Sequence, residues 1–256
     1  MPHTTLKSVS GRGALLAVVV MLLAPLAAVV AAAGPAQAGP AFQQPRVGEC
    51  RTLTFDEYLR NSNNKSPIDC SQAHSSRVIA TGHLPKGVGW GAPLRRLNRI
   101  AVRICDPAWK RTLGRTYSSR AMTSYTWAWF IPTKAQRSHG ARWIRCDLVL
   151  IAGRRLDRLP TDAEPALGAQ PHPKRIRACL TRTSHTTCVH RHIYRATGTF
   201  VIRQKAYPSL RQFRRAAQRR CPSRVFSRAF AWDPHGSADR WRLGDHVVVC
   251  FSRTRR

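Results

Sequence analysis

IDCSQAHSSRVIATGHLP, residues 68–85, returns in looser form as TTCVHRHIYRATGTFV, residues 186–201, and the echo decides how the fold is read. At an offset of 118, Cys70 answers Cys188, His74 answers His192 and Arg77 answers Arg195, so both stretches read C-x-x-x-H-x-x-R. The triplet Ala80-Thr81-Gly82 returns as Ala196-Thr197-Gly198 at an offset of 116, which puts a two-residue loss just after the motif. A repeat of this kind implies one supersecondary unit used twice, and missing it mis-reads the whole chain.

Beyond the motif, Leu94, Leu97, Ala101 and Cys105 fall on Leu210, Phe213, Ala217 and Cys221. Their i, i+3, i+7, i+11 spacing is that of one helical face. FIP at 130–132 answers WDP at 232–234, and Gly140 and Gly244 each stand six residues before a cysteine, Cys146 and Cys250. Each copy reads as strand, helix, strand and strand. In the first these are 77–81, 94–105, the alternation Tyr125, Trp127, Trp129, Ile131, and 144–150; in the second, 197–203, 210–221, 226–232 and 246–251. The expected class is α+β, as two tandem copies of a small disulfide-stapled module, each an antiparallel sheet covered by one helix. Trp127, Trp129 and Trp143 read as packing residues, with a sugar-binding platform as the other use of such rings.

Lys7 and Arg12, an apolar run over 13–33, and an A-x-A site ending at Ala38 have the layout of a secretory signal peptide over 1–38. A retained membrane anchor is the alternative, because the run is long enough to span a bilayer. Cleavage would leave 218 residues, enough for two domains of about 110 each. The first module is placed at 39–152 and the second at 176–256. Between them 153–175, rich in Pro, Ala and charge without periodicity, reads as a linker.

Eight cysteines in an exported chain read as a disulfide framework. If equivalent cysteines pair alike, the bridges are Cys50 with Cys70, Cys105 with Cys146, Cys179 with Cys188, and Cys221 with Cys250. The Cys70/His74 and Cys188/His192 spacings could also hold zinc. Oxidised sulfurs cannot, so neither metal nor other cofactor is expected, and His74 and His192 are read as hydrogen-bonding residues where a strand begins.

The formal charge is +31; without the two basic residues of the leader, 41 Lys and Arg stand against 12 acids, a formal +29. Such a chain attracts polyanions. Arginine outnumbers lysine 36 to 7, which fits either bidentate anion recognition or a GC-rich genome. Arg95, Arg99 and Arg103 answer Arg211, Arg215 and Arg219, all off the apolar helix face, as a solvated face or a polyanion-binding surface. Anionic cell-wall polymers are the expected polyanion. Nucleic acid is not expected as a physiological partner of an exported chain, nor stable membrane insertion after leader removal.

G-x-S-x-G and H-E-x-x-H are missing, and the acids are scattered apart from adjacent Asp56 and Glu57. His235, Ser237 and Asp239 read as a polar loop. No enzyme is expected.

VGEC at 47–50, IDCSQAH running into RVIATGHLP, and a glycine six residues before a final cysteine together resemble the septum formation family of exported or membrane-linked bacterial proteins. WRLGDHVVVC at 241–250 resembles its closing tryptophan, Gly-acid pair and strand cysteine. The first copy departs at Arg137 and Ala141, where tryptophan and an acid are usual, and Arg77 and Arg195 stand where an acid is common. The resemblance implies a setting at the cell envelope outside the cytoplasmic membrane, with division or envelope proteins as partners and no catalytic residues to carry over. The expected function is a non-enzymatic role in septum formation through protein or wall contacts. The alternatives are an exported hydrolase of wall polymers with an unrecognised site, or a general polyanion-binding module.

Overall fold

The computed structural model describes residues 38–160, 167–168 and 170–254. The expected signal peptide up to residue 37 and the middle of the expected linker, 161–166 with 169, lie outside them. The first half runs β1 (Cys50–Arg51), α1 (Phe55–Leu59), β2 (Ser76–His83), α2 (Leu94–Leu113), α3 (Tyr117–Ala121), β3 (Tyr125–Phe130), α4 (Lys134–Ser138), β4 (Trp143–Ile151) and β5 (Leu156–Asp157). The second runs β6 (Ala178–Leu180), β7 (His185–Thr187), β8 (Tyr194–Val201), α5 (Leu210–Arg220), β9 (Phe230–Pro234), α6 (Ala238–Trp241) and β10 (Val247–Arg253).

Local chemistry sets the helix starts. Thr54 with Glu57, Thr133 with Gln136, and Ser209 with Gln212 form reciprocal capping boxes at α1, α4 and α5, each satisfying backbone donors that a helix end leaves free. α2 runs two turns beyond its predicted end at residue 105, through the exposed Pro107. Ala108, Trp109 and Leu113 prolong its buried stripe there, and burial outweighs the hydrogen bond that proline removes. Leu94 and Leu210 are exposed at 63% and 66% rather than buried, each being the first residue of its helix.

Each half forms one antiparallel sheet, β1-β2-β4-β3 with β5 on β4, and β7-β6-β8-β10-β9. Set side by side, β1-β2-β4-β3 and β6-β8-β10-β9 share one order. Cys50 lies opposite Arg77 as Cys179 lies opposite Arg195, and Ala80 lies opposite Cys146 as Gly198 lies opposite Cys250. The register corrects the alignment of the two Ala-Thr-Gly triplets. Arg77 and Arg195, Ala80 and Gly198, and Gly82 and Phe200 occupy matching ladder positions at an offset of 118, and the offset of 116 is reached only after the strand, before the helix.

Alternation along the central strands decides what each face meets. In β10, Val248 and Cys250 pack with Phe213, Ala217 and Cys221 of α5, while Val247, Val249 and Phe251 pack with Ala121 and Met122 from the first half. In β4, Cys146, Leu148 and Leu150 meet α2 through Cys105, Trp109 and Leu113. The opposite face of β4 carries Arg145 and Asp147, both buried. On the β3 edge of that side, Phe130 and Ala128 lie under Leu53 and Tyr58, so the first sheet is covered on both faces rather than by one helix alone.

The halves are continuous with each other. Ser124 N–H donates to the Ile176 carbonyl (2.7 Å), Ala178 N–H to Met122 (2.9 Å), and Gly153 N–H to His185 (2.8 Å). The described residues belong to one compact unit. The expected linker is docked at both ends: β5 joins the first sheet, Leu159 N–H donates to the His74 carbonyl at 2.9 Å, and His172 is buried. Its composition lacked periodicity because it is held by single contacts, not by a repeating face.

Candidate functional site

Four disulfides, Cys50–Cys70, Cys105–Cys146, Cys179–Cys188 and Cys221–Cys250, join the pairs expected from the repeat. Two pin a helix to its central strand, and two close the turn in front of the motif. Gly140 and Gly244 have φ of 86° and 94°, left-handed values that favour glycine. Each turns the chain from a short helix, α4 or α6, into the strand bearing the last cysteine.

The motif histidines share one geometry. His74 Nδ1–H donates to the Gln72 carbonyl at 2.9 Å and His192 Nδ1–H to the His190 carbonyl at 2.7 Å, each reaching back two residues. His74 is 2% exposed and its Nε2 has no partner among the described residues. Ligand atoms of Cys179, Cys188 and His192 lie within 4.8 Å of one another. Both sulfurs are consumed in one bridge, so the set offers no thiolate and does not fit a zinc site. Trp143 is buried and donates its indole N–H to the Phe42 carbonyl at 3.0 Å, while Trp127 and Trp129 pack at the edge of the core.

Arg95, Arg99 and Arg103 on α2, and Arg211, Arg215 and Arg219 on α5, are all exposed. None has a hydrogen bond or ion pair to a described residue, and the two triplets lie on opposite halves rather than in one pocket.

A buried ionic cluster between the halves went unread in the sequence. Trp109, fully buried on α2, carries Arg240 at 4.2 Å and Arg120 at 4.7 Å over its ring, with the His235 ring stacked at 5.3 Å. Asp245, 0% exposed, pairs with His235 Nδ1 at 2.9 Å and Arg240 Nη2 at 3.3 Å. Asp106, also 0% exposed, takes Lys110 at 3.0 Å, the Tyr117 hydroxyl at 3.0 Å and Arg240 Nε at 3.5 Å. Arg120 donates to the Gly114 carbonyl. His235, Ser237 and Asp239 therefore do not act together. Ser237 caps α6, and Asp239 pairs with Arg242 at 2.6 Å and accepts from Asn98 at 2.9 Å. The hidden signal was the Gly-acid pair Gly244-Asp245; in the first half Gly140 is followed by Ala141 instead.

Burial of His235 pushes its pKa below 6.5 despite the Asp245 carboxylate beside it. Burial acts to raise Asp245, but His235 and Arg240 outweigh it and hold the carboxyl below 3.8. The unfolded chain therefore takes up a proton near pH 6.5 that the folded His235 refuses. Stability is complete above that value and falls as the pH drops below it, by about 1.4 kcal/mol per pH unit for each such proton. His172, lowered mainly by burial, adds to the same window. Melting temperature should fall from pH 6.5 to 5, and His235→Gln should flatten but not abolish the slope; an unchanged slope would mean that His235 titrates freely.

His235 and Arg240 also line a cleft of about 310 Å³ between the halves, together with Ser124, Tyr125, His185 and Asp233.

What these features define is a disulfide-stapled, strongly basic α+β protein with exposed arginines on both helices. The sequence profile of the family described as septum formation matches residues 47–250, running once through both halves. The chain belongs to the septum formation family. Membership points to a cell-envelope protein connected with cell division, and with four disulfides it points to a place outside the cytoplasm. Among the described residues no helix is long and apolar enough to cross a membrane. No curated protein and no solved structure matches the chain.

Proposed function

We propose that this protein is a non-enzymatic, exported component of the envelope that serves septum formation by holding anionic wall polymers or envelope proteins. Its two halves are divergent copies of one module, a reading supported by their common strand order and equivalent bridges. The observation that carries the functional reading is the six exposed arginines of α2 and α5, without an acceptor among the described residues, on a chain of formal charge +31. Exposed guanidinium groups with no fixed partner suit many weak phosphate or carboxylate contacts rather than one ligand.

Binding to an anionic wall polymer should weaken linearly in log affinity against log salt, by analogy with counterion release from nucleic acids. Replacing Arg211, Arg215 and Arg219 together by Gln, which keeps helix propensity, should flatten that line by roughly 0.7–0.9 per arginine in contact. The melting temperature should stay within about 2 °C, since these side chains lie off the buried face. Salt-independent binding, or an unchanged slope in the variant, would overturn the proposal.

A second reading, an exported hydrolase of wall polymers, draws support from His235, which Asp245 orients beside the cleft in the manner of a general base. Release of fragments from purified wall polymer, lost in His235→Gln, would favour it over the first.

A further inference from the structure

A second cleft, of about 350 Å³, opens on the first half and is lined by Gln44, Arg51, Asn63, Lys65 and Arg145 among others. It is remote in chemistry from the helix arginines, because its cations are already held. Arg51, 3% exposed, gives Nε–H to the Lys65 carbonyl at 3.0 Å and Nη2–H to Glu49 Oε2 at 2.5 Å. Arg145, 2% exposed, is ion-paired with Asp147, its Nε 2.8 Å from Oδ1.

Apart from Arg145 Nε, which has its ion pair to Asp147, two donors in this cleft have neither a hydrogen bond nor an ion pair among the described residues. Arg51 Nη1 is buried and has no partner among the described residues. Asn63 Nδ2 is in the same condition, and the orientation of its amide is determined by its neighbours. Asn63 Oδ1 accepts from Arg145 Nη2 at 3.3 Å and from the Lys65 backbone N–H at 3.4 Å. Both of those atoms can only donate, so the oxygen must face them and the NH2 is the end left without a partner. Gln44 Oε1 is buried and unpartnered as well. Its Nε2 meets the Thr81 hydroxyl at 3.1 Å, and a hydroxyl can donate or accept, so Gln44 can present either end of its amide.

We infer that this cleft binds a carboxylate group, one oxygen accepting from Arg51 Nη1 and the other from Asn63 Nδ2. Buried donors left unmade are rare in native proteins, and two lining one cleft ask for an oxygen ligand. Glu49 and Asp147 already neutralise the two arginines, so a monoanion fits better than a doubly charged phosphate. The field of a strongly basic chain then favours an anion over a neutral carbonyl. The site goes beyond the arginine faces of the helices and does not depend on them.

The test is a titration of the chain lacking residues 1–38, following side-chain amide signals by NMR at constant ionic strength, with sodium acetate, acetamide and inorganic phosphate as probes. Acetate should shift the Asn63 NH2 signal saturably, and acetamide, its neutral isostere, should bind at least about tenfold more weakly. Asn63→Asp keeps the acceptor for Arg145 but replaces the donor by a negative charge. It assigns the signal by removing it, and the Gln44 amide should then no longer respond to acetate. Exchanging Arg211, Arg215 and Arg219 for Gln should leave the acetate titration as it was, even if polymer binding fails. Equal binding of acetamide, tighter binding of phosphate, an undiminished response in Asn63→Asp, or no saturable shift would each overturn the assignment. The acetate and acetamide titrations of the unsubstituted protein decide it even where a variant does not fold.

Discussion

Replacing Cys105 and Cys146 together by alanine is expected to lower stability by about 4 kcal/mol, the largest loss among the four bridges. The bridge spans 41 residues, against 29 for Cys221–Cys250, 20 for Cys50–Cys70 and 9 for Cys179–Cys188. In the chain-entropy account the cost of freeing the unfolded chain grows with the logarithm of the loop, so the shortest bridge should be worth only about 2.6 kcal/mol. Both Cys105 and Cys146 are 0% exposed in the cluster that holds Trp109 and Leu148, so two truncations also leave unfilled space there. For a chain of this size the melting temperature should drop by roughly 8–16 °C. Denaturation of the paired variants under oxidising conditions gives the ranking. A Cys179/Cys188 variant as unstable as the Cys105/Cys146 one would show that loop entropy does not set the order.

Asp245→Ala should cost about 3–5 kcal/mol, the range for removing one partner of a buried ion pair. Asp245 is fully buried, and its loss strands Arg240, whose side chain is 11% exposed, and His235 beside it. Among carboxylates Arg240 then retains only Asp106, 3.5 Å from Nε, besides its place over the Trp109 ring. The first half carries Ala141 at the matching position, where a backbone carbonyl accepts from the Trp90 indole N–H at 3.0 Å and no such cation has to be held. The physical claim is that the cost comes from the stranded cation and not from the missing carboxylate itself. Asp245→Ala with Arg240→Met should therefore be less destabilised than Asp245→Ala alone. Simple additivity of the two in a double-mutant cycle would refute the coupling.

How far each feature was legible follows from the range of the interaction behind it. The helix faces Leu97, Ala101, Cys105 and Phe213, Ala217, Cys221 could be read because burial against one surface imposes a 3.6-residue period. The central strands carry β-branched runs for a similar reason. The bridges match the pairs expected from the sequence echo, on the assumption that corresponding cysteines pair alike. Two differences had local causes: the Ala-Thr-Gly echo mimicked a register that the ladder does not use, and α2 continued past residue 105, where the matching helix of the second half ends; within 153–175, Leu159 and His172 are buried among polar neighbours that gave no periodic signal.

The amino-acid order by itself determined the α+β class, the starts and the period of both amphipathic helices, the partners of the eight cysteines and the excess of positive charge. These depend on spacing along the chain, which folding does not alter. Only the tertiary structure decided which face of each sheet is covered and by what. Trp109, Arg120, Arg240, His235 and Asp245 come from separate segments of both halves, and Arg51, Asn63 and Arg145 from three segments of one. No periodicity links such residues, because each is placed by packing across the fold, so their charges and unmade hydrogen bonds become visible only when the chain has closed around them.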